Sequence, residues 1–244
     1  MKVKTKDIIN IGDVSSNGFL RLDSLFNILQ EKAFLHMHTV GIGLKDMLES
    51  HNTWILNRVA VEILKLPKLE ETIDVDTWSR KIYRFKGLRD YEVFADGESV
   101  IRATSLWVYF DTEKGRPVRA PDYFAQKFGA VEEQATEVDI ESMKFKNITK
   151  PHACIPIATR ISDYDINGHV NNAAILQYIE TGIYRSIQEK GMINRIQLVF
   201  QNEIPFDLDQ VEVQVETTDN GCLFEVQSQG MVFVRGAATI KTLC

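Results

Sequence analysis

The stretch Asp163-Tyr164-Asp165-Ile166-Asn167-Gly168-His169-Val170-Asn171-Asn172 gathers carboxylates, amides and an imidazole just ahead of an apolar run. Unpaired backbone N–H groups at a helix start favour negative charge, so an oxyanion formed from a carbonyl would be stabilised there. The side chains beside it have the chemistry to position or activate water. A rival reading is calcium binding, because Asp163-x-Asp165-x-Asn167-Gly168-x-Val170 matches the start of an EF-hand loop. That loop needs a bidentate Glu at its last position, which here is Ala174, and a helix leading in, where Pro151 to Ile161 reads as extended. The bland reading is a turn that caps a helix, and it suits Asp163 and Asn171 or Asn172.

A second copy of the pattern weighs between these readings. Asp13-x-x-x-Asn17-Gly18 aligns with Asp163-x-x-x-Asn167-Gly168, and Asn57-Arg58-Val59 with Asn194-Arg195-Ile196. Pro67 aligns with Pro205 after a one-residue shift, and Ile101-Arg102-Ala103 with Val234-Arg235-Gly236. Such matches in one order indicate a tandem duplication. Where the second copy has Asp165 and His169, the first has Ser15 and Phe19, while Asn17-Gly18 is kept. The turn therefore does not require the Asp and the His, which favours function over capping at those two positions.

The elements that must hold this stretch follow from periodicity. Leu22, Leu25, Phe26, Leu29 and Ala33 recur at helical spacing and predict a helix over about 23–37. Val3 to Ile11, Trp54 to Leu64, Glu71 to Arg80, Gly87 to Asp96 and Ser99 to Asp111 read as antiparallel strands. A second helix is predicted from about Asn172 to Glu189, with Ile175, Ile179, Gly182, Ile183 and Ile187 on one stripe. Residues 131–141 hold Glu132, Glu133, Glu137, Asp139 and Glu141 without a base and read as a linker. A long helix followed by an antiparallel sheet, duplicated, fits an α+β tandem double hotdog, each sheet wrapped around its helix. The expected division is an N-terminal unit at 1–130, an acidic linker at 131–147 and a C-terminal unit at 148–244.

With 244 residues, 44% hydrophobic and 25% charged, the chain is globular rather than disordered or fibrous. A net charge of −6 argues against broad nucleic-acid binding, and no apolar run is long enough for a membrane span. Met1 to Val14 does not read as a secretory or transit peptide, and Cys154, Cys222 and Cys244 read as free thiols, so a cytoplasmic protein is expected. Nothing in the spacing of Cys, His and acids implies a metal site.

Asp165-x-Asn167-x-His169-Val170-Asn171-Asn172, followed by a helix, resembles the signature of the acyl-[acyl-carrier-protein] thioesterases, plastid enzymes and bacterial relatives built as double hotdogs. The likeness runs over nearly the whole chain and includes Trp107-Val108-Tyr109-Phe110-Asp111 and Gly115-Arg116-Pro117. It implies hydrolysis of fatty acyl-carrier-protein thioesters without a cofactor, with Asp165, Asn167 and His169 catalytic. It also implies a catalytic Glu203 on the next strand, in Leu198-Val199-Phe200-Gln201-Asn202-Glu203. Many plant members carry a Cys directly after that Glu; here it is Ile204, which points to water as the nucleophile.

The implied partner is an acyl carrier protein, with no nucleic acid or membrane insertion and homodimerisation left open. Phe26, Trp54 and Trp107 are candidates to line an acyl tunnel, with core packing the equal alternative. Arg80, Lys81, Arg84, Lys86 and Arg89 form a basic run that suits carrier docking or a plain solvated face. His36 and His38 are expected to be satisfied structural histidines, and His51 and His152 to lie on the surface. The competing functions are an acyl-CoA thioesterase, a non-catalytic acyl-thioester-binding hotdog protein and a dehydratase.

Overall fold

A computed structural model describes residues 1–187 and 191–242. It divides into two compact bodies, Met1–Arg21 with Asn27–Ser142, and Leu22–Phe26 with Met143–Cys244. The N-terminal copy contains β1 (Lys2–Ile8), α1 (Leu22–Thr39), α2 (Leu44–Glu49), β2 (Asn52–Ile63), β3 (Thr72–Tyr83), β4 (Lys86–Ala95), β5 (Glu98–Asp111), β6 (Arg116–Pro117) and α3 (Asp122–Phe128). Its strands are ordered β1-β3-β4-β5-β2, with β6 on β5. The C-terminal copy contains β7 (Ala153–Ala158), α4 (Asn172–Ser186), β8 (Gly191–Phe200), β9 (Gln210–Thr218), β10 (Gly221–Ser228) and β11 (Met231–Thr242). Its order β7-β9-β10-β11-β8 repeats that of the first sheet strand for strand. Each copy is a hotdog unit, and the chain is a double hotdog.

Alternation of apolar and polar residues makes the strands, and turn chemistry joins them. Asp96-Gly97, with φ of 52° and 80°, supplies the left-handed pair that a tight β4–β5 hairpin needs. The helix stripes read from the sequence are buried: Leu22, Leu25, Phe26, Leu29 and Ala33 on α1, and Ile175, Ile179, Gly182 and Ile183 on α4. The last residues of the second predicted helix, 188 and 189, lie outside the described residues. The short helices α2 and α3 were not anticipated.

The repeat extends to irregularities. Asn57 is bulged out between Leu56 and Arg58, and Asn194 between Ile193 and Arg195. Arg102 pairs with Glu92 at 3.2 Å, and Arg235 with Glu225 at 2.6 Å, on matching strands. One alignment needs correction. Phe19 bridges Lys68 and His169 bridges Pro205, so Pro67 matches Ile204 and Leu66 matches Glu203.

The acidic segment is not a slack tether. Its backbone accepts the Trp78 indole N–H at Glu133 (2.8 Å) and an Arg58 N–H at Ile140 (3.1 Å). The Ala135 N–H donates to Asp90 at 3.2 Å, and Glu141 accepts from Lys86 at 3.0 Å and from the Tyr83 hydroxyl. Residues 131–142 thus pack on the first body, with Thr136 and Ile140 buried.

Candidate active site

The candidate loop is built by its own polar groups. A 3-10 turn at Ile161–Asp163 begins it, and the buried Asp163 carboxylate caps that turn by accepting the Arg160 backbone N–H at 2.9 Å. The same carboxylate accepts from the Arg160 guanidinium and from the Tyr178 hydroxyl on α4, and burial beside this anion pushes the Tyr178 phenol far up. Asn171 caps α4, its side chain accepting the Ala173 N–H at 2.8 Å. Capping is therefore the role the structure gives Asp163 and Asn171.

Asp165 acts within the loop. Its backbone N–H donates to the His169 carbonyl at 2.9 Å, closing the turn with Gly168 at a φ of 78°. Its carboxylate accepts the Asn167 backbone N–H at 2.8 Å and the Asn167 side-chain N–H at 3.3 Å. An Asn amide has two N–H donors, so the second stays available. In the first copy Ser15 donates to the Asn17 side-chain oxygen at 2.5 Å, which turns that amide the other way round.

His169 faces Glu203, with Nε2 and Oε2 3.2 Å apart. Glu203 was expected on a strand. It lies beyond the end of β8, where the Gln201 and Asn202 N–H groups both turn to the Phe233 carbonyl and the chain leaves the ladder. The Val170 N–H donating to the Ile204 carbonyl at 3.1 Å then locks this segment beside the loop. The structure thus brings Asp165, Asn167, His169 and Glu203 together. In the first copy the corresponding pair is Phe19 and Leu66, and the carboxylate–imidazole contact is replaced by apolar groups.

The helix-start reading is narrowed. The Val170, Asn171 and Ala173 N–H groups are already paired, so the free amide of Asn167 is the clearest donor left in the loop. Exposed apolar side chains are also present in these segments: Ile166 between Asp165 and Asn167 is 81% exposed, and the exposed Phe206 packs with its ring tilted against Tyr164, centroids 4.8 Å apart. Cys154 is exposed, Cys222 is buried, and neither belongs to the loop; Cys244 lies outside the described residues. Among the described residues no group of His, Cys, Asp and Glu is arranged to hold a metal, and no helix is long and apolar enough to cross a membrane.

The remaining candidates separate. Phe26 is core. Trp54 packs on Tyr109 at 5.0 Å and on Phe124 at 6.3 Å. The Trp107 indole donates to Ser105 at 2.9 Å. An open cleft of about 640 Å³ in the first body is lined by Ile42, Met47, Tyr109, Phe124 and Lys127 among others, and none of the three candidates lines it. The basic run is not one surface. Arg89 is buried, and Arg80 is largely covered and pairs with Asp90 at 3.3 Å. Lys86 is tied to Glu141, so only Lys81, whose ammonium lies over the Tyr83 ring at 4.8 Å, and Arg84 are exposed. His36 and His38 lie in the last turn of α1; His38 is exposed, and His36 is not fully satisfied, since its Nε2 is buried without a partner. His51 and His152 are exposed, as expected.

Fold and site together define a duplicated hotdog protein with one polar site and one apolar counterpart. Residues 1–128 match the acyl-ACP thioesterase N-terminal domain, and residues 148–241 the acyl-ACP thioesterase C-terminal domain. The chain belongs to the acyl-ACP thioesterase family. It is 26% identical over 220 residues to oleoyl-acyl carrier protein thioesterase 2 of Arabidopsis thaliana, covering 84% of this chain and 60% of that protein. It is 23% identical over 223 residues to the oleoyl-acyl carrier protein thioesterase of Coriandrum sativum, covering 85% and 60%. The chain thus spans about 60% of the length of these relatives. An acyl-ACP thioesterase structure from Bacteroides thetaiotaomicron superposes with a TM-score of 0.87 at 24% identity, covering 98% of both chains. The 12:0-ACP thioesterase of Umbellularia californica gives 0.85 at 22% identity, covering 98% of this chain and 97% of that one. At that identity these two structures speak to the fold.

Proposed function

We propose that this chain hydrolyses fatty acyl-carrier-protein thioesters at the site formed by Asp165, Asn167, His169 and Glu203, releasing the free fatty acid. The observation that carries this reading is the 3.2 Å His169–Glu203 pair beside the Asn167 amide, in one copy of a duplicated loop and replaced by Phe19 and Leu66 in the other. The substrate carbonyl lies against the free Asn167 N–H, which Asp165 orients. Water held by the His169–Glu203 pair attacks the carbonyl carbon and gives its proton to the pair. The C–S bond then breaks, and the departing thiolate takes that proton back. An Asp-oriented amide donor is worth about 10²–10³ in rate, by analogy with single oxyanion donors.

The test follows free thiol release from acyl-carrier-protein and acyl-CoA carrying the same chain. Asp165→Ala is expected to lower turnover about 10²-fold by releasing Asn167; near-wild-type turnover would sink the assignment. Thiol release also separates a hydrolase from a binding protein, and a higher kcat/KM on CoA would favour the acyl-CoA alternative.

Carrier docking, in this reading, rests on Lys81 and Arg84 alone. Arg84 sits at the tip of the β3–β4 turn with a φ of 50°. The double charge reversal Lys81→Glu with Arg84→Glu is expected to raise KM for the carrier-bound substrate several-fold and leave KM for the CoA thioester unchanged, because rim charges act on encounter. An equal rise for both substrates would rule out docking there.

A further inference from the structure

The two helices that the duplication does not share wall one hollow. Residues 40–51 join α1 to β2 and include α2, whereas only residues 187–190 stand between α4 and β8. α3 follows β6 and has no counterpart after β11 among the described residues. Gly41 takes a φ of 70°, a conformation that favours glycine, and turns the chain away from α1. Ile42 then enters a buried cluster with Tyr109, Phe124 and Phe128, and the Gly43 N–H donates to Asp46 in the first turn of α2 at 2.8 Å. From α3 the Lys127 ammonium donates to the Gly41 carbonyl at 3.3 Å. The open cleft of about 640 Å³ lies among these segments, a volume in the range of small-molecule sites.

Its floor is apolar and its charges are unequally engaged. Ile42, Met47, Tyr109 and Phe124 are all buried, with the half-buried Val118 beside them. Asp111 is held by the Lys114 ammonium at 2.7 Å and by the Lys114 backbone N–H at 2.8 Å, and Asp46 is turned to Gly43. Arg119 meets Asp122 at 2.7 Å, but the two side chains are 71% and 84% exposed, and such a pair holds a cation loosely. Lys127 forms no ion pair among the described residues; besides Gly41 it meets only the Tyr123 ring, 5.5 Å from the centroid. An ammonium carries three donors, so two of its N–H groups stay unspent.

An apolar floor beneath a cation with unspent donors fits an amphipathic anion. A concave cleft of this volume suits a small ligand better than the broad face of a protein partner. We propose that the cleft binds a free medium-chain fatty acid, its carboxylate on Lys127 and Arg119 and its chain over Ile42, Met47 and Phe124. Such an acid is what the proposed hydrolysis releases, so the source of the ligand rests on that reading, while its recognition by the cleft does not.

Sodium octanoate and 1-octanol are titrated calorimetrically into the wild-type protein, Lys127→Met, Arg119→Met and Val118→Asp. The wild type is expected to bind octanoate about three- to tenfold more tightly than octanol, the size of a partly exposed charged contact. Lys127→Met should lower octanoate to the octanol value and leave octanol unchanged, and Arg119→Met should do so in part. Val118→Asp, which sets a charge among the apolar groups, should weaken both ligands. Trp54 reports the place, because it packs on Tyr109 at 5.0 Å and on Phe124 at 6.3 Å. Octanoate should shift the emission of the wild type and leave that of Trp54→Phe unmoved. Equal affinity for the two ligands, equal loss of both in Lys127→Met, or binding without a Trp54-dependent shift would each overturn the site. None of these titrations needs turnover. A protein that binds octanoate in this way and hydrolyses no thioester would overturn the hydrolase reading alone, and a hydrolase indifferent to the carboxylate would overturn the cleft alone.

Discussion

Glu203→Gln is expected to lower kcat on acyl-carrier-protein thioester by about 10²–10⁴-fold, the usual span for a general acid–base group. Glutamine keeps the length and hydrogen-bonding reach of Glu203 but cannot take a proton, so KM should stay close to wild type. His169→Gln should cost a similar factor, because His169 Nε2 and Glu203 lie 3.2 Å apart and, in the proposed mechanism, act on the same attacking water. Groups that act as one unit are strongly non-additive. The double variant should therefore be scarcely worse than the poorer single one, and a simple product of the two losses would mean that the residues work in separate steps. The first copy offers an internal control: Phe19→His, made in the Glu203→Gln protein, should restore nothing, since Ser15 and Leu66 leave that loop without counterparts of the Asp165 and Glu203 carboxylates. Full turnover in either single variant would remove the pair from the mechanism.

Much of this site was legible because it is local. Asp165, Asn167 and His169 fall within one tight turn, and a turn's geometry follows from neighbouring residues. The duplication made the contrast with Ser15 and Phe19 visible without any other sequence. Glu203 was named but misplaced, because strand periodicity does not reveal that Gln201 and Asn202 turn away to the Phe233 carbonyl. The basic run failed for a different reason. Counting bases along a chain ignores which face of the sheet each occupies, and a bulge drops Arg80 between Ser79 and Lys81 out of the alternation. Arg89 consequently points inward while Lys81 and Arg84 point out. The acidic stretch read as a linker because most of its anchors are backbone groups, at Glu133, Ala135 and Ile140, and backbone groups leave no signature in composition. Helices as short as α2 and α3 span too few turns to show a period.

Acidification should destabilise the protein through His36. Burial, with the Arg89 guanidinium adding to it, pushes this imidazole down from 6.5 to about 3, so it stays neutral in the native state. Unfolding exposes it and lets it protonate below pH 6.5. Between those two values the unfolded chain binds the extra proton, so stability falls as pH falls, by up to about 1.4 kcal/mol per pH unit. Two units below 6.5 the loss approaches about 3 kcal/mol, or several degrees in Tm. Asp90 works the other way: burial raises its pKa, so the native state takes up a proton first as pH drops and is favoured by acid. The two slopes overlap in wild type, which makes a single melting curve ambiguous. His36→Phe removes one of them and keeps the edge-on contact with Phe128. The Tm difference between wild type and His36→Phe, followed from pH 7 to 4.5, should therefore shift steadily against the wild type. Parallel curves across that range would mean that His36 carries a proton in the folded protein, and its Nδ1, 3.1 Å from Arg89 Nη1, then could not accept from that guanidinium.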